Sequence, residues 1–152
     1  KTSPGHVRRV RATTASRRDF TVIAYVPVAV SADRAQARAW MRPLVAHYLG
    51  VLHGQTILED AGLGPARTQP FRDAVTAGRP AADLVTDDVL DAVAIAGTPA
   101  ECCAALGRWA QAGLDGVVAV IPEGADVTRQ VEHLGRDLSP AWKSLVQSSS
   151  LS

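Results

Sequence analysis

Two stretches of the chain are apolar at nearly every position. They are Phe20–Val30 (FTVIAYVPVAV) and Leu114–Ile121, the latter rich in valine with no polar alternation after Gly116. Strands that are apolar on both faces belong in a sheet covered on both sides, the habit of parallel sheets in α/β proteins. Pro27 interrupts the first run, because proline cannot donate to a ladder. It marks either a bulge or the end of a shorter strand, Thr21–Val26.

Elsewhere the apolar residues recur at helical spacing. Thr98, Pro99 and Glu101 form a capping box with proline at the first helical position. Cys102, Leu106, Trp109 and Ala110 then line one helix face, and Gly113 stands where a left-handed residue ends the helix. Residues 94–122 thus read as loop, helix, turn and buried strand. Ser31 caps a long helix from Asp33 to Leu52, with a stripe of Ala37, Trp40, Met41, Leu44, Tyr48, Leu49 and Leu52. Pro43 should kink or split it. Further helices are expected at His6–Thr14, Asp83–Ala94 and Val127–Leu138, the last ended by Ser139 and Pro140. Asp87, Asp88 and Asp91 are expected to face water.

Residues 53–80 are broken by Gly54, Gly62, Gly64, Pro65, Pro70, Gly78 and Pro80, with helical patches at Thr56–Ala61 and Pro70–Ala77. This excursion is longer than an ordinary loop of an α/β unit. Residues 1–143 are read as one unit and the Ser-rich residues 144–152 as a disordered tail. Two strands cannot make a stable sheet. Either further strands come from another segment or the chain is unstable alone.

Composition adds modest limits. Hydrophobic residues are 47% and charged residues 20% of the chain, which excludes disorder. No apolar run is long enough to span a membrane, and no signal-peptide pattern is present. Cys102 and Cys103 are adjacent and read as reduced thiols of a cytoplasmic protein. Residues 1–42 hold nine Lys or Arg against Asp19 and Asp33, a balance of +7, so the remainder carries −6 within the overall +1. No aromatic residues interleave with Arg8, Arg9, Arg11, Arg17 and Arg18, so a solvated helix face is expected, not a nucleic-acid surface. Fourteen arginines against two lysines, with abundant alanine, fit a GC-rich bacterial genome.

The strand FTVIAYVPVAVSAD with the helix DRAQARAWMRPLVAHYLG, followed by DDVLDAVAIAGTPAECCAALGRWAQAGLDGVVAVIPEG, resembles the C-terminal portion of the bacterial luciferase-like monooxygenase family. Asp33 after the first strand, and Gly97, Thr98, Pro99 and Glu101 before Leu114–Ile121, carry the resemblance, which covers about residues 6–142. It implies an α/β fold that is the C-terminal part of a (β/α)8 TIM barrel, incomplete in this chain, holding its seventh and eighth strands and the excursion. It also implies FMN or coenzyme F420 as cofactor, a small organic substrate and a homo-oligomeric parent, with the genome signature favouring F420. The family's catalytic and phosphate-binding positions lie mainly upstream, so no catalytic or cofactor-binding residue is assigned. With Lys1 at its start, the chain is expected to be a fragment of such an oxidoreductase. The alternative is a non-catalytic α/β module that self-associates or docks on a partner.

Active sites of such barrels lie at the carboxyl ends of the strands, here Ser31 and Ile121–Glu123. Glu123 could hydrogen-bond a ligand or be a solvated loop residue. Ser31 reads as a helix cap. His47, Tyr48 and His53 cluster near the excursion. His53 is a pocket-lining candidate or a charge on the helix dipole, and Tyr48 is a pocket candidate whose default is core packing. Their spacing matches no zinc motif, and no metal site is expected. His6 and His133 read as surface residues, and Trp40, Trp109 and Trp142 as packing. No nucleophile elbow, Walker loop or C-x-x-C pair is present. The run AGLGPAR at 61–67 does not follow a strand, which argues against a dinucleotide fingerprint.

Overall fold

The structure is a computed structural model that describes residues 2–14 and 20–149. Arg17 and Arg18 of the basic segment, and the last three residues of the expected tail, lie outside the described residues. A parallel three-stranded sheet runs in the order β2-β1-β3, with β1 (Ile23–Val30) central, β2 at Ile95–Gly97 and β3 at Gly116–Val120. The helices are α1 (Pro4–Thr14), α2 (Arg34–Val51), α3 (Thr56–Glu59), α4 (Pro65–Thr76), α5 (Asp87–Val93), α6 (Pro99–Gln111), α7 (Val127–His133) and α8 (Ser139–Ser149). Among the described residues no helix is long and apolar enough to cross a membrane.

β1 is buried on both faces only in its second half. Ala24, Val26, Val28 and Val30 pack against Cys102, Leu106 and Trp109 of α6 and against Leu138. Ala29 turns the other way, into a core of Met41, Leu49, Phe71, Val89 and Leu90 from α2, α4 and α5. Helices α2 and α6 therefore cover opposite faces. The strand order dictates this. Right-handed crossovers that step first to one side of β1 and then to the other must place their helices on opposite faces. An arc of consecutive barrel strands would run β1-β2-β3, whereas here β3 pairs with β1.

Several sequence expectations need correction. Ile95–Gly97, expected as loop, is β2, paired Val28↔Ile95 to Val30↔Gly97. Three residues are too few for a periodicity to show. β3 is half-buried with Val118 exposed, not covered on both sides. Pro27 sits inside the ladder with β3, at Pro27↔Val120, and causes no bulge. Backbone groups alternate between the two edges of a strand, and Ser31 N–H bonds Gly97 C=O on the β2 edge. Pro27 faces that same edge just before β2 begins, so its missing N–H is not needed. Pro43 likewise lies inside an unbroken α2.

Ser139 and Pro140 do not end the last helix. A π turn at Leu134–Leu138 joins α7 to α8. Pro140 has no N–H and its ring crowds the carbonyl one turn back, and a wider turn relieves both problems. Residues 144–149 are consequently helical, where a disordered tail was expected.

Among the described residues, part of the uneven charge is paired internally. Arg38, whose side chain is nearly inaccessible, bonds Asp87 at 3.0 Å and Asp91 at 2.9 Å. Arg34 and Arg42 also reach Asp87, and Arg34 reaches Glu101. Asp87 and Asp91 of α5 face water, as expected, and also anchor α2, while Asp88 pairs with Arg67 of α4. Arg9 pairs with Asp60 and Arg11 with Asp115, so neither is a freely solvated charge.

Candidate functional site

In an open parallel sheet, ligands bind outside the carboxyl ends of the strands, where two neighbouring strands send their chains to opposite faces. Here that point lies between β1 and β3. A crevice of about 620 Å³ occupies it, between the start of α2 and α7. Its size falls within the roughly 300–1,000 Å³ typical of small-molecule sites.

The floor is built by one side chain. Gln130, 2% exposed, accepts the Val30 N–H through Oε1 and donates to the Val30 C=O through Nε2, each at 2.8 Å. β3 pairs with β1 only as far as Pro27, so Gln130 continues the ladder where the strand has stopped. One wall is the start of α2. Asp33, and not Ser31, is the N-cap, accepting from Ala35 N–H at 2.9 Å and Gln36 N–H at 3.4 Å. Ser31 Oγ accepts from Asp33 N–H and donates to Gln36 Oε1. Trp40, read as packing from sequence, lines this wall one turn further on.

The opposite wall is α7, capped by Asp126, which accepts from Arg129 N–H. Arg129, Glu132, His133 and Arg136 line it. His133 Nδ1 donates to Asp137 at 2.8 Å, and Arg136 Nε bonds the same carboxylate at 3.0 Å. These hydrogen bonds, Arg136 first and His133 second, hold Asp137 down to a pKa of about 2. His133 is thus half-buried and paired, not a free surface residue.

The structure separates the residues singled out by sequence. Glu123 is exposed on the turn after β3, beside the crevice and next to its lining residue Gly124. Tyr48 and His53 lie toward the other end of α2. Tyr48 borders a small apolar hollow with Pro27, Val45 and Leu49, and its ring tilts against His47. His53 Nδ1 meets the hydroxyl of buried Thr68 at 2.8 Å, which ties α4 to the end of α2. Sequence reasoning passed over Trp40, Arg129 and Gln130. Their signal was position, since all three follow a strand end within about ten residues. Among the described residues no group of three His, Cys, Asp or Glu could hold a metal ion.

Fold and crevice together define a parallel α/β protein with a polar crevice at its strand ends. Residues 4–116 match the family model described as luciferase-like monooxygenase. Over 134 residues the chain is 30% identical to a 5,10-methylenetetrahydromethanopterin reductase of Archaeoglobus fulgidus, covering 84% of this chain and 40% of that protein. It is 27% identical over 124 residues to the reductase of the same name from Methanolobus tindarius, covering 80% and 38%. The coenzyme F420 dependent tetrahydromethanopterin reductase of Methanopyrus kandleri superposes with a TM-score of 0.76 at 23% identity, over 93% of this chain and 43% of that one. The chain belongs to the luciferase-like monooxygenase family. It spans about two-fifths of the length of the curated relatives it matches.

Proposed function

We propose that this chain is part of an F420-dependent oxidoreductase that transfers a hydride to or from a small organic substrate, in the manner of the methylenetetrahydromethanopterin reductases. The observation that carries the reading is the 30% identity to the Archaeoglobus reductase. A polar crevice at the strand ends supports it.

The crevice fits one part of a deazaflavin or flavin and not another. The Trp40 indole gives a face for a planar ring, and Gln36 and Arg129 offer donors to ring oxygens. A phosphate cradle is not formed here, because Asp33, Asp126 and Glu132 surround the same space and Arg136 is occupied by Asp137. Phosphate recognition therefore falls to the rest of the longer protein. When bound, the cofactor supplies the hydride chemistry. The residues of this chain bind and orient: Gln130 fixes α7 against β1, Trp40 covers a ring face, and Glu123 stands at the mouth as a substrate contact. Tyr48 and His53 support the excursion from the far end of α2.

In this reading FMN is the weaker cofactor candidate, and the barrel expected from the family is completed only in the longer protein. The enzyme is a cytoplasmic homo-oligomer, a placement supported by its free thiols. The test is a titration of the full-length protein with F420 and with FMN, followed by tryptophan fluorescence and by hydride transfer. Quenching by F420 that is lost in Trp40→Phe is the expected result. No binding of either cofactor and no redox turnover would overturn the reading.

A further inference from the structure

His133 closes α7, and its ring borders the crevice. Its Nδ1 lies 2.8 Å from Asp137, which sits on the π turn that follows. π turns within helices recur at functional sites. Arg136 grips both oxygens of that carboxylate, Nε on Oδ1 at 3.0 Å and Nη2 on Oδ2 at 3.1 Å. Such a fork favours the charged form, and Asp137 is held well below the usual carboxylate range. An ionised carboxylate only accepts, so the proton between Asp137 and His133 sits on Nδ1. Arg136 Nη2 also stands 3.2 Å from Nδ1. A lone pair there would nonetheless face the shorter approach of Asp137 with no proton between them. In the neutral ring the lone pair is therefore on Nε2. No partner meets Nε2 among the described residues.

The crevice thus holds an uncharged acceptor whose tautomer is fixed. The carboxylates around it differ in kind. Asp33 and Asp126 are spent on the caps of α2 and α7, and Glu132 is exposed. Arg129, one turn before His133 on α7, lines the same wall and offers donors. A donor beside a neutral acceptor is the complement of an imide edge, in which an N–H stands next to carbonyl oxygens. Deazaflavin and flavin rings both end in such an edge. We propose that His133 Nε2 accepts a hydrogen bond from the imide N–H of the deazaflavin ring, with Arg129 donating to a flanking carbonyl and Asp137 as the positioning residue that fixes the imidazole. The inference rests on the F420 reading above and deepens it.

Two measurements on the full-length protein test it. Nitrogen NMR of the imidazole, without cofactor, should show the neutral His133 ring protonated on Nδ1, and Asp137→Asn should abolish that preference. A ring protonated on Nε2 in the unaltered protein overturns the proposal. The second measurement titrates F420, and F420 methylated at the imide nitrogen, by cofactor fluorescence. His133→Phe keeps a ring and removes the acceptor. It should weaken F420 about tenfold, the scale of one lost hydrogen bond, and leave the methylated cofactor unchanged. His133→Gln, whose amide oxygen accepts, should restore most of the binding. It also serves as the second variant if phenylalanine disturbs the circular dichroism. Equal effects on both cofactors in a folded variant, or no effect on either, overturn the proposal. The two failures are distinguishable. A full-length protein that binds neither F420 nor FMN and turns over no substrate loses the redox reading and this inference together. One that binds F420 with indifference to His133 loses this inference alone.

Discussion

Gln130 holds Val30 by both of its backbone groups, as a neighbouring strand would. The two hydrogen bonds are 2.8 Å each and span 100 positions of sequence. Gln130→Leu would leave a buried N–H and a buried C=O without partners. Each orphan costs about 1–3 kcal/mol, so a loss of roughly 2–6 kcal/mol is expected in urea unfolding. Gln130→Glu keeps the acceptor for Val30 N–H but sets a buried carboxylate oxygen against Val30 C=O, and should cost at least as much.

At Gly50 the backbone of α2 lies close against α4. A Cβ placed on it would stand 2.5 Å from Val75 Cγ2 and 2.6 Å from the Phe71 carbonyl oxygen. Alanine is the better helix former by about 1 kcal/mol, yet here it must push the helices apart. Overpacking of this kind costs about 1–3 kcal/mol, so Gly50→Ala should lower the melting temperature. A neutral or stabilising result would show that α4 shifts freely.

Asp88 and Asp137 should titrate well below ordinary aspartates. Asp88 is held to a pKa of about 2 by the Thr86 hydroxyl and then by Arg67, and Asp137 to about 2 by Arg136 and then His133. A folded pKa below the unfolded value of about 3.9 means that each contribution is present above about pH 4. It is lost as pH falls through about 2. Carboxyl carbon NMR reads this directly. Midpoints near 4 for either residue would refute its pairing.

The two adjacent thiols should react very differently. Burial pushes Cys102 up to about 12, and the neighbouring Cys103 and Glu101 charges add to the effect. Cys103 is also raised by burial and by the Asp137 charge, but it is half-buried. The thiolate is the reactive form. Alkylation in native buffer near neutral pH should label Cys103 slowly and Cys102 only on unfolding. Equal labelling would mean that α6 does not seat as described.

Legibility from sequence followed locality. The α6 unit was fully readable because its signals are short-range. Thr98 and Glu101 form the reciprocal capping box, and Gly113 takes φ +93° to end the helix. β1 was readable from composition. β2 was not, since its strand character comes from pairing with Val28–Val30, a partner more than sixty residues away. The acidic α5 looked like a solvated face because nothing local shows that Arg38 will be buried against it. Of the candidate site, Glu123 could be placed by its distance from a strand end. Gln130 also follows a strand end, but its bonds to Val30 depend on β3 stopping short of Val30, which no local signal shows.

The central position of β1 limits how this sheet can grow. Both edges of β1 are occupied, so a strand arriving from elsewhere can add only outside β2, which offers three residues, or outside β3, which offers five. A closed ring of consecutive strands would require β3 to release its five register pairs with β1 and re-form them beside β2. An added strand and β3 would therefore compete for the same edge of β1.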